Sequence, residues 1–138
     1  MKYGLYFHNG KLVADLTVYG NAVNGHSITG VLMDTGASIS GFLASDLTQV
    51  GATARGVHRS VRSATGSTTL PVYLATVELG GSQNLTPTEA RHKALVEQRA
   101  VDVLALPSLR LIGRDVLARF NCLEVDWAGA AVIDAAYA

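Results

Sequence analysis

An apolar segment that ends on an acid places the strongest constraint on this chain. Residues 31–40 read VLMDTGASIS, so three apolar residues run directly into Asp34, and Thr-Gly-Ala-Ser follows. A short apolar run bounded by small residues is typical of a buried strand. A carboxylate at the end of such a strand is costly unless it is paired, hydrogen-bonded or used in chemistry. The fold must therefore give Asp34 a partner or a chemical role.

The composition narrows the class of protein. The chain has 138 residues, and its 11 basic and 11 acidic side chains cancel. This length fits one domain, so we expect a single domain over residues 1–138. The balanced charge gives no indication of nucleic acid or an anionic membrane as a partner. Apolar runs are short and the N-terminus lacks a signal-peptide pattern, so we expect no membrane-spanning segment.

The cysteine and histidine content indicates neither a disulfide nor a metal site. Cys122 is the single cysteine, which excludes an internal disulfide and suits a reducing compartment. The histidines are scattered without the spacing of metal ligands, at His8, His26, His58 and His92. We therefore expect a cytoplasmic protein with no metal and no cofactor.

Alternation of apolar and polar residues predicts a mostly β fold. Residues 11–20 alternate and end at a Gly-Asn turn, and residues 26–34 form the partner strand of a hairpin. Residues 57–81 predict two strands around a tip at 65–67, with Pro71 near a sheet edge or a bulge because proline cannot donate a ladder hydrogen bond. Further predicted strands are residues 101–106 and a closing hairpin over 122–134 that turns at 128–129.

Two short segments carry helix signals. Residues 86–98 begin with Thr86 as a candidate N-cap, Pro87 at the first helical position and Glu89 three residues after the cap. Residues 113–120 suit a second, brief helix.

A second motif lies far downstream of Asp34. Residues 109–120 read LRLIGRDVLARF, in which an apolar pair leads into Gly-Arg-Asp and more apolar residues follow. An Asp-Thr-Gly tripeptide alone is a weak signal, but two motifs in this order, with a glycine-tipped hairpin between them, are more specific. Together they resemble the retropepsin family, the single-domain aspartic proteases of retroviruses and their cellular and bacterial relatives. The resemblance covers nearly the whole chain.

The resemblance implies both a fold and an activity. The implied fold is a closed β-barrel, the acid-protease half-domain, with a flap hairpin and one or two short helices. The implied activity is that of an aspartic endopeptidase acting on a peptide or protein substrate. Such an enzyme needs two carboxylates that share one proton. Because this chain has one Asp-Thr-Gly, the resemblance implies a homodimer in which Asp34 of each protomer meets at a two-fold axis.

The resemblance also implies roles for individual residues. Asp34, Thr35 and Gly36 are the expected catalytic group, with Thr35 bonding across the axis and Gly36 allowing close approach of the backbone. The expected substrate contacts are Ala37, Ser38, the flap tip Ala64, Thr65 and Gly66, and an apolar pocket formed by Ile112, Leu106 and Val31. Gly113, Arg114 and Asp115 are expected to be structural, with Asp115 capping or bracing the short helix.

The chain departs from the family pattern near Arg114. In retroviral members this arginine pairs with an acid shortly after the catalytic Asp, but residues 38–40 here are Ser-Ile-Ser. Asp46, Asp115 or a backbone carbonyl could take the place of that acid. Arg55, Arg59 and Arg62 precede the flap tip, and we interpret them as a solvated face of the hairpin.

Two functions other than proteolysis also fit parts of this sequence. The segment after the first apolar strand also matches a phosphate loop of actin-like ATPases, but those proteins need two large domains and a second such loop. A catalytically inactive retropepsin-like domain that serves dimerisation or peptide binding is the stronger alternative. The Asp-Thr-Gly motif is intact, so the sequence favours activity over this alternative.

Ala37 leads to a prediction about pH. Pepsin-like relatives usually carry Ser or Thr here, and its hydroxyl stabilises the ionised pair of carboxylates; alanine cannot donate this bond. We therefore expect cleavage to be fastest at mildly acidic to near-neutral pH. A pH–rate profile with a fluorogenic peptide measures this, and an optimum as acidic as that of gastric enzymes would contradict it.

Overall fold

Strands dominate the structure, in agreement with the predicted mostly β fold. The computed structural model describes residues 2–22, 24–79, 86–88, 91, 100–126 and 130–135. In these residues the strands are β1 (Lys2–His8), β2 (Lys11–Tyr19), β3 (His26–Met33), β4 (Gly41–Leu43), β5 (Thr53–Ser63), β6 (Gly66–Leu79), β7 (Ala100–Leu106), β8 (Leu111–Ile112), β9 (Phe120–Asp126) and β10 (Ala130–Ala135). The helices described over their full length are α1 (Ala44–Gln49) and α2 (Arg114–Leu117), and residues 87, 88 and 91 are helical as well.

The strand pairings form a ring with an added three-stranded extension. The order is β5-β6-β7-β4-β8-β3-β2-β1-β10-β9, and β2 also pairs with β6. The hydrogen-bonded path from β6 through β7, β4, β8, β3 and β2 therefore returns to β6. Strands β1, β10 and β9 continue the sheet beyond β2. Four of the pairings, β1–β2, β2–β3, β5–β6 and β9–β10, join strands that are consecutive in the chain by short connections. The remaining pairings join strands that are distant in sequence, and β3–β8 and β4–β7 are parallel.

The predicted hairpins are confirmed. β2 and β3 pair antiparallel, and the pair nearest their connection is Val18 with His26. β9 and β10 also pair antiparallel. β5 and β6 meet at a two-residue turn formed by residues 64 and 65, since Ser63 lies opposite Gly66. The turn thus begins one residue before the tip predicted at 65–67, and Gly66 is the first residue of β6. Pro71 lies opposite His58, where the register of β5 shifts, as expected for a proline in a strand.

Apolar side chains from the strands and α1 form one core. The fully buried members are Phe42, Leu47, Leu79, Ile112, Val18, Val31, Val50, Val77 and Val103. In β2, Ala14, Leu16 and Val18 are buried as the alternation predicts. Val13 is buried as well, although the pattern placed it on the polar face. The register with β3 shifts between Ala14 and Leu16, and such a bulge re-aims neighbouring side chains.

Three of the features predicted from the sequence fall wholly or mostly among residues that the structure does not describe. Most of the helix predicted for 86–98, the turn at 128–129, and the side chain of Cys122 lie outside the described residues. No helix in the described part of the chain is long and apolar enough to cross a membrane.

A buried ion pair anchors α1 to the segment before β8. Arg110 donates two hydrogen bonds to the carboxylate of Asp46, from Nε at 2.6 Å and from Nη2 at 2.8 Å. The Leu43 amide and the His26 ring complete the shell of Asp46, each at 3.1 Å. Asp46 is only 2% exposed. Burial by itself raises the pKa of Asp46, but the guanidinium and the other donors outweigh it and hold that pKa below the ordinary 3.8.

This ion pair generates a prediction about stability. A carboxylate with a lowered pKa stabilises the fold above its unfolded-state pKa and loses that contribution as pH falls through its folded-state pKa. Replacing Asp46 with Asn leaves Arg110, whose side chain is 34% exposed, without its charged partner, so we expect a loss of about 1.5–3 kcal/mol at pH 7. The difference from wild type should shrink below about pH 4. Urea unfolding at several pH values measures both effects.

The matched control is Asp102→Asn. Asp102 pairs with Arg55 at 3.2 Å, but both side chains are about half exposed. An exposed pair contributes only about 0–1 kcal/mol, so this variant should unfold nearly as wild type does. If both variants lost the same free energy of unfolding, burial of Asp46 would not be what makes its ion pair stabilising.

Candidate active site

The turn after β3 fixes the carboxylate of Asp34. The amide of Ala37 donates to the carbonyl of Asp34 at 3.2 Å and closes a four-residue turn. The amide of Gly36 donates to Oδ1 of Asp34 at 2.9 Å. Aspartate commonly accepts such a bond from the backbone two residues on. Asp34 is half-buried, whereas Thr35 and Gly36 are exposed. The carboxylate is therefore oriented by its own turn and remains accessible.

The downstream motif lies directly beside this turn. β3 and β8 run parallel, with Met33 opposite Ile112. The pairing continues past the strands, because the Asp34 amide donates to the Ile112 carbonyl at 2.8 Å and the Arg114 amide donates to the Ala37 carbonyl at 2.8 Å. Backbone hydrogen bonds thus hold the two sequence motifs together on both sides of the turn.

Gly113 is required by the closeness of these two loops. A Cβ atom at Gly113 would lie 2.8 Å from the Ala37 carbonyl oxygen and 3.0 Å from the carbonyl carbon of Ile39. Both neighbours are backbone atoms, so they cannot move aside as a flexible side chain could. The φ of Gly113 is −101°, which any residue adopts. Glycine is therefore needed at position 113 because a side chain would not fit there, and not because of its backbone conformation.

Ser40 and Asp115 brace the same junction through their side chains. The Ser40 hydroxyl donates to Oδ1 of Asp115 at 2.6 Å and accepts a bond from the Gly113 amide at 2.9 Å. The Ser40 amide donates to Oδ2 of Asp115 at 3.0 Å. Ser40 is fully buried. Asp115 thus braces both the turn region and α2, whose residue Val116 donates its amide to the same carboxylate.

Arg114 bonds to the backbone of the Asp34 turn. Its Nη1 donates to the Thr35 carbonyl at 3.0 Å, so of the three partners considered for Arg114 the backbone carbonyl is the one bonded. The two candidate acids are engaged elsewhere, Asp46 by Arg110 and Asp115 by Ser40.

The predicted site residues separate into three groups in the structure. The first group lies in the two joined loops and comprises Asp34, Thr35, Gly36, Ala37, Ser38, Gly113, Arg114 and Asp115. The second group, Ala64, Thr65 and Gly66, is exposed at the tip of the β5–β6 hairpin. The third group is the predicted apolar pocket. Ile112 and Val31 are 0% and 1% exposed and pack in the core, which argues against contact between these side chains and a substrate.

The sequence did not predict a surface depression beside β3. Apolar residues in its lining are Val13, Leu32, Leu43 and Leu109, basic ones are His8, Lys11 and Arg110, and Asn9, Thr29, Gly30 and Ser108 complete it. We call it the Leu32 depression. Strand register brings these segments together, since Val13 and Leu111 both lie opposite Leu32. No local sequence pattern links residues 8–13 with residues 108–110, so the depression is recognisable only from the strand topology.

Neither similarity to known proteins nor a cluster of metal ligands assigns a role to this site. The chain matches no protein-family model, no curated protein and no solved structure. Among the described residues, no group of three or more His, Cys, Asp or Glu side chains is placed to hold a metal ion.

The Ser40 brace generates a prediction. Removing the hydroxyl in Ser40→Ala leaves the buried Gly113 amide and one oxygen of Asp115 without this partner, which should cost about 1–3 kcal/mol. Chemical denaturation measures the loss. Ser38→Ala is the matched control, because Ser38 is exposed in the same loop and should change stability by less than about 0.5 kcal/mol. Equal effects would show that the brace contributes nothing specific.

Proposed function

We propose that this chain is an aspartic endopeptidase of retropepsin type that acts as a symmetric homodimer. The observation that carries the proposal is the junction of the two motifs. The Asp34 turn and residues 112–115 are far apart in sequence, yet they share backbone and side-chain hydrogen bonds that orient one accessible carboxylate. A rigidly held carboxylate at a loop is a feature expected of a catalytic group.

The architecture is consistent with this family. The closed path of six strands from β6 back to β6 supports the proposal of a retropepsin-like barrel. The β5–β6 hairpin, with its exposed two-residue turn at Ala64 and Thr65, supports the proposal of a flap. In the proposed enzyme, backbone groups of the flap pair with an extended peptide as an added strand would.

The proposed mechanism uses the two copies of Asp34 as one acid–base unit. One ionised carboxylate takes a proton from water while the water oxygen attacks the peptide carbonyl carbon, and the protonated partner donates its proton to the carbonyl oxygen. In the second stage the carboxyl proton passes to the amide nitrogen and the C–N bond breaks, while the other carboxylate takes a proton from a hydroxyl group of the tetrahedral intermediate. The products are a carboxylic acid and an amine, and the pair again holds one proton. Because the two groups titrate together, their protons belong to the pair.

The exposure of the turn supports a partner of the same kind. Thr35 and Gly36 are exposed, and a two-fold interface places a residue near the axis opposite its own copy. Two Asp34 carboxylates can then approach closely enough to share a proton. For location, the lone Cys122 supports a proposal of a cytoplasmic protein.

Asp34→Asn tests the proposed catalytic role. Asn can neither take the proton from water nor donate one, so peptide cleavage should fall by roughly 10²- to 10⁴-fold or more. Dimerisation, measured by light scattering after size-exclusion chromatography, should be nearly unchanged. Asp102→Asn, an exposed acid paired with Arg55, is the control and should retain activity. If wild-type protein cleaves no library peptide from acid to neutral pH, the inactive binding domain becomes the better account.

Mixing wild-type and Asp34→Asn protein tests the shared site directly. If each active unit needs two intact copies of Asp34, an equimolar and fully exchanged mixture has about a quarter of the activity of wild type at the same total concentration. Independent monomers would retain about half. The second value would exclude a site composed of two copies.

A further inference from the structure

The Leu32 depression contains one exposed cation, Lys11, that its own lining does not neutralise, whereas Arg110 is already paired with Asp46. The exposed Asp15 lies just beyond the lining, since it accepts a bond from the Gly30 amide at 3.0 Å. Lys11, Arg110 and His8 line it, and none of its eleven lining residues is acidic. The acid bound to Arg110 is Asp46, which is buried behind the guanidinium. A positive potential at an open surface attracts carboxylates.

The two permanent cations differ in how firmly they are held. Arg110 uses Nε and Nη2 for Asp46, and its side chain is still 34% exposed. Its position is therefore fixed while part of the guanidinium faces solvent. Lys11 is exposed and makes no ion pair within the described residues. A bound carboxylate would supply Lys11 with a counter-ion without breaking an existing pair.

Leu32, which lines the depression, belongs to the strand that leads into Asp34. Leu32 precedes Asp34 by two positions, so their side chains point to the same face of the extended chain. Two residues of a strand span about 6–7 Å, which is the distance between neighbouring side chains on one face of a peptide. The exposed or half-buried apolar side chains Leu32, Leu43 and Leu109 offer contact surface beside the cations.

We propose that the Leu32 depression is a subsite that prefers a glutamate side chain next to the cleaved bond. The methylene groups of glutamate would pack on Leu32 and Leu109, and its carboxylate would face Lys11 and Arg110. This preference rests on the proposed protease function for its role in catalysis, but its binding component can be measured without cleavage.

The binding test uses Asp34→Asn protein and pairs of extended peptides that differ at one position, Glu against Gln. Titration followed by amide NMR shifts gives the affinities and shows whether Leu32, Lys11 and Leu109 respond. The Glu peptide should bind roughly two- to fivefold more tightly, as for a partly exposed ion pair. The preference should weaken as salt is raised from about 0.05 to 0.5 M.

Charge variants identify the cation responsible. Lys11→Gln should reduce the preference for Glu, and Lys11→Glu should reverse it in favour of a Lys peptide. Arg91→Gln is the matched control, because Arg91 is exposed and does not line the depression; it should leave the preference unchanged. The salt series on protein with Lys11 intact provides a second measurement that does not depend on the folding of a variant.

The outcomes separate the subsite from the proposed enzyme. Equal affinity for Glu and Gln peptides, tighter binding of a Leu peptide, or no binding of any of them at millimolar concentration would overturn the subsite. A Glu preference that depends on Lys11 supports the subsite even if wild-type protein cleaves nothing, in which case the protease proposal alone fails. Faster cleavage of the Glu peptide by wild type, lost in Lys11→Gln, supports both.

Discussion

The carboxylate of Asp34 depends on two loops that are joined by their backbones. Bringing residues so far apart in sequence together costs chain entropy, which grows slowly with the length of the closed loop. The junction offsets this cost with several hydrogen bonds of different kinds: strand pairing at Met33 and Ile112, amide bonds at Asp34 and Arg114, and the guanidinium bond to Thr35. Because these bonds surround the turn, its geometry is set before any partner or ligand arrives.

The segment that leads into β8 serves the core, the ion pair and the candidate site at once. Arg110 holds the buried Asp46 and lines the Leu32 depression, and Ile112 fills the core while its carbonyl accepts the Asp34 amide. Arg110 directly precedes β8 and Ile112 ends it, so only two positions separate the residue of the ion pair from a residue of the core. A change in this stretch therefore affects stability and site geometry together.

The period-two pattern predicted the hairpins of the fold but not its short or tertiary elements. β2, β3, β5 and β6 are long enough for alternation to be visible. The β2–β3 connection contains glycine and asparagine, and Gly66 follows the β5–β6 turn. β4 has three residues, and its strand state comes from pairing with β7 and β8, which the local sequence does not encode. The sequence pattern did not predict β1 or α1 either. β1 mixes apolar and polar positions without a clean period, and the six-residue α1 is stabilised by the buried Asp46.

For the candidate site, the sequence identified the loops but not the bonds between them. The need for glycine at position 113 was expected from the motif, yet its cause, the approach of Ala37 and Ile39, is a tertiary fact. The partner of Arg114 depends on which acids are already engaged, and Ile112 points into the core because the strand phase places it there. An oriented carboxylate on a rigid, exposed turn needs little reorganisation to meet an identical copy. That pre-organisation is the physical argument for the proposed two-fold pair of Asp34 residues.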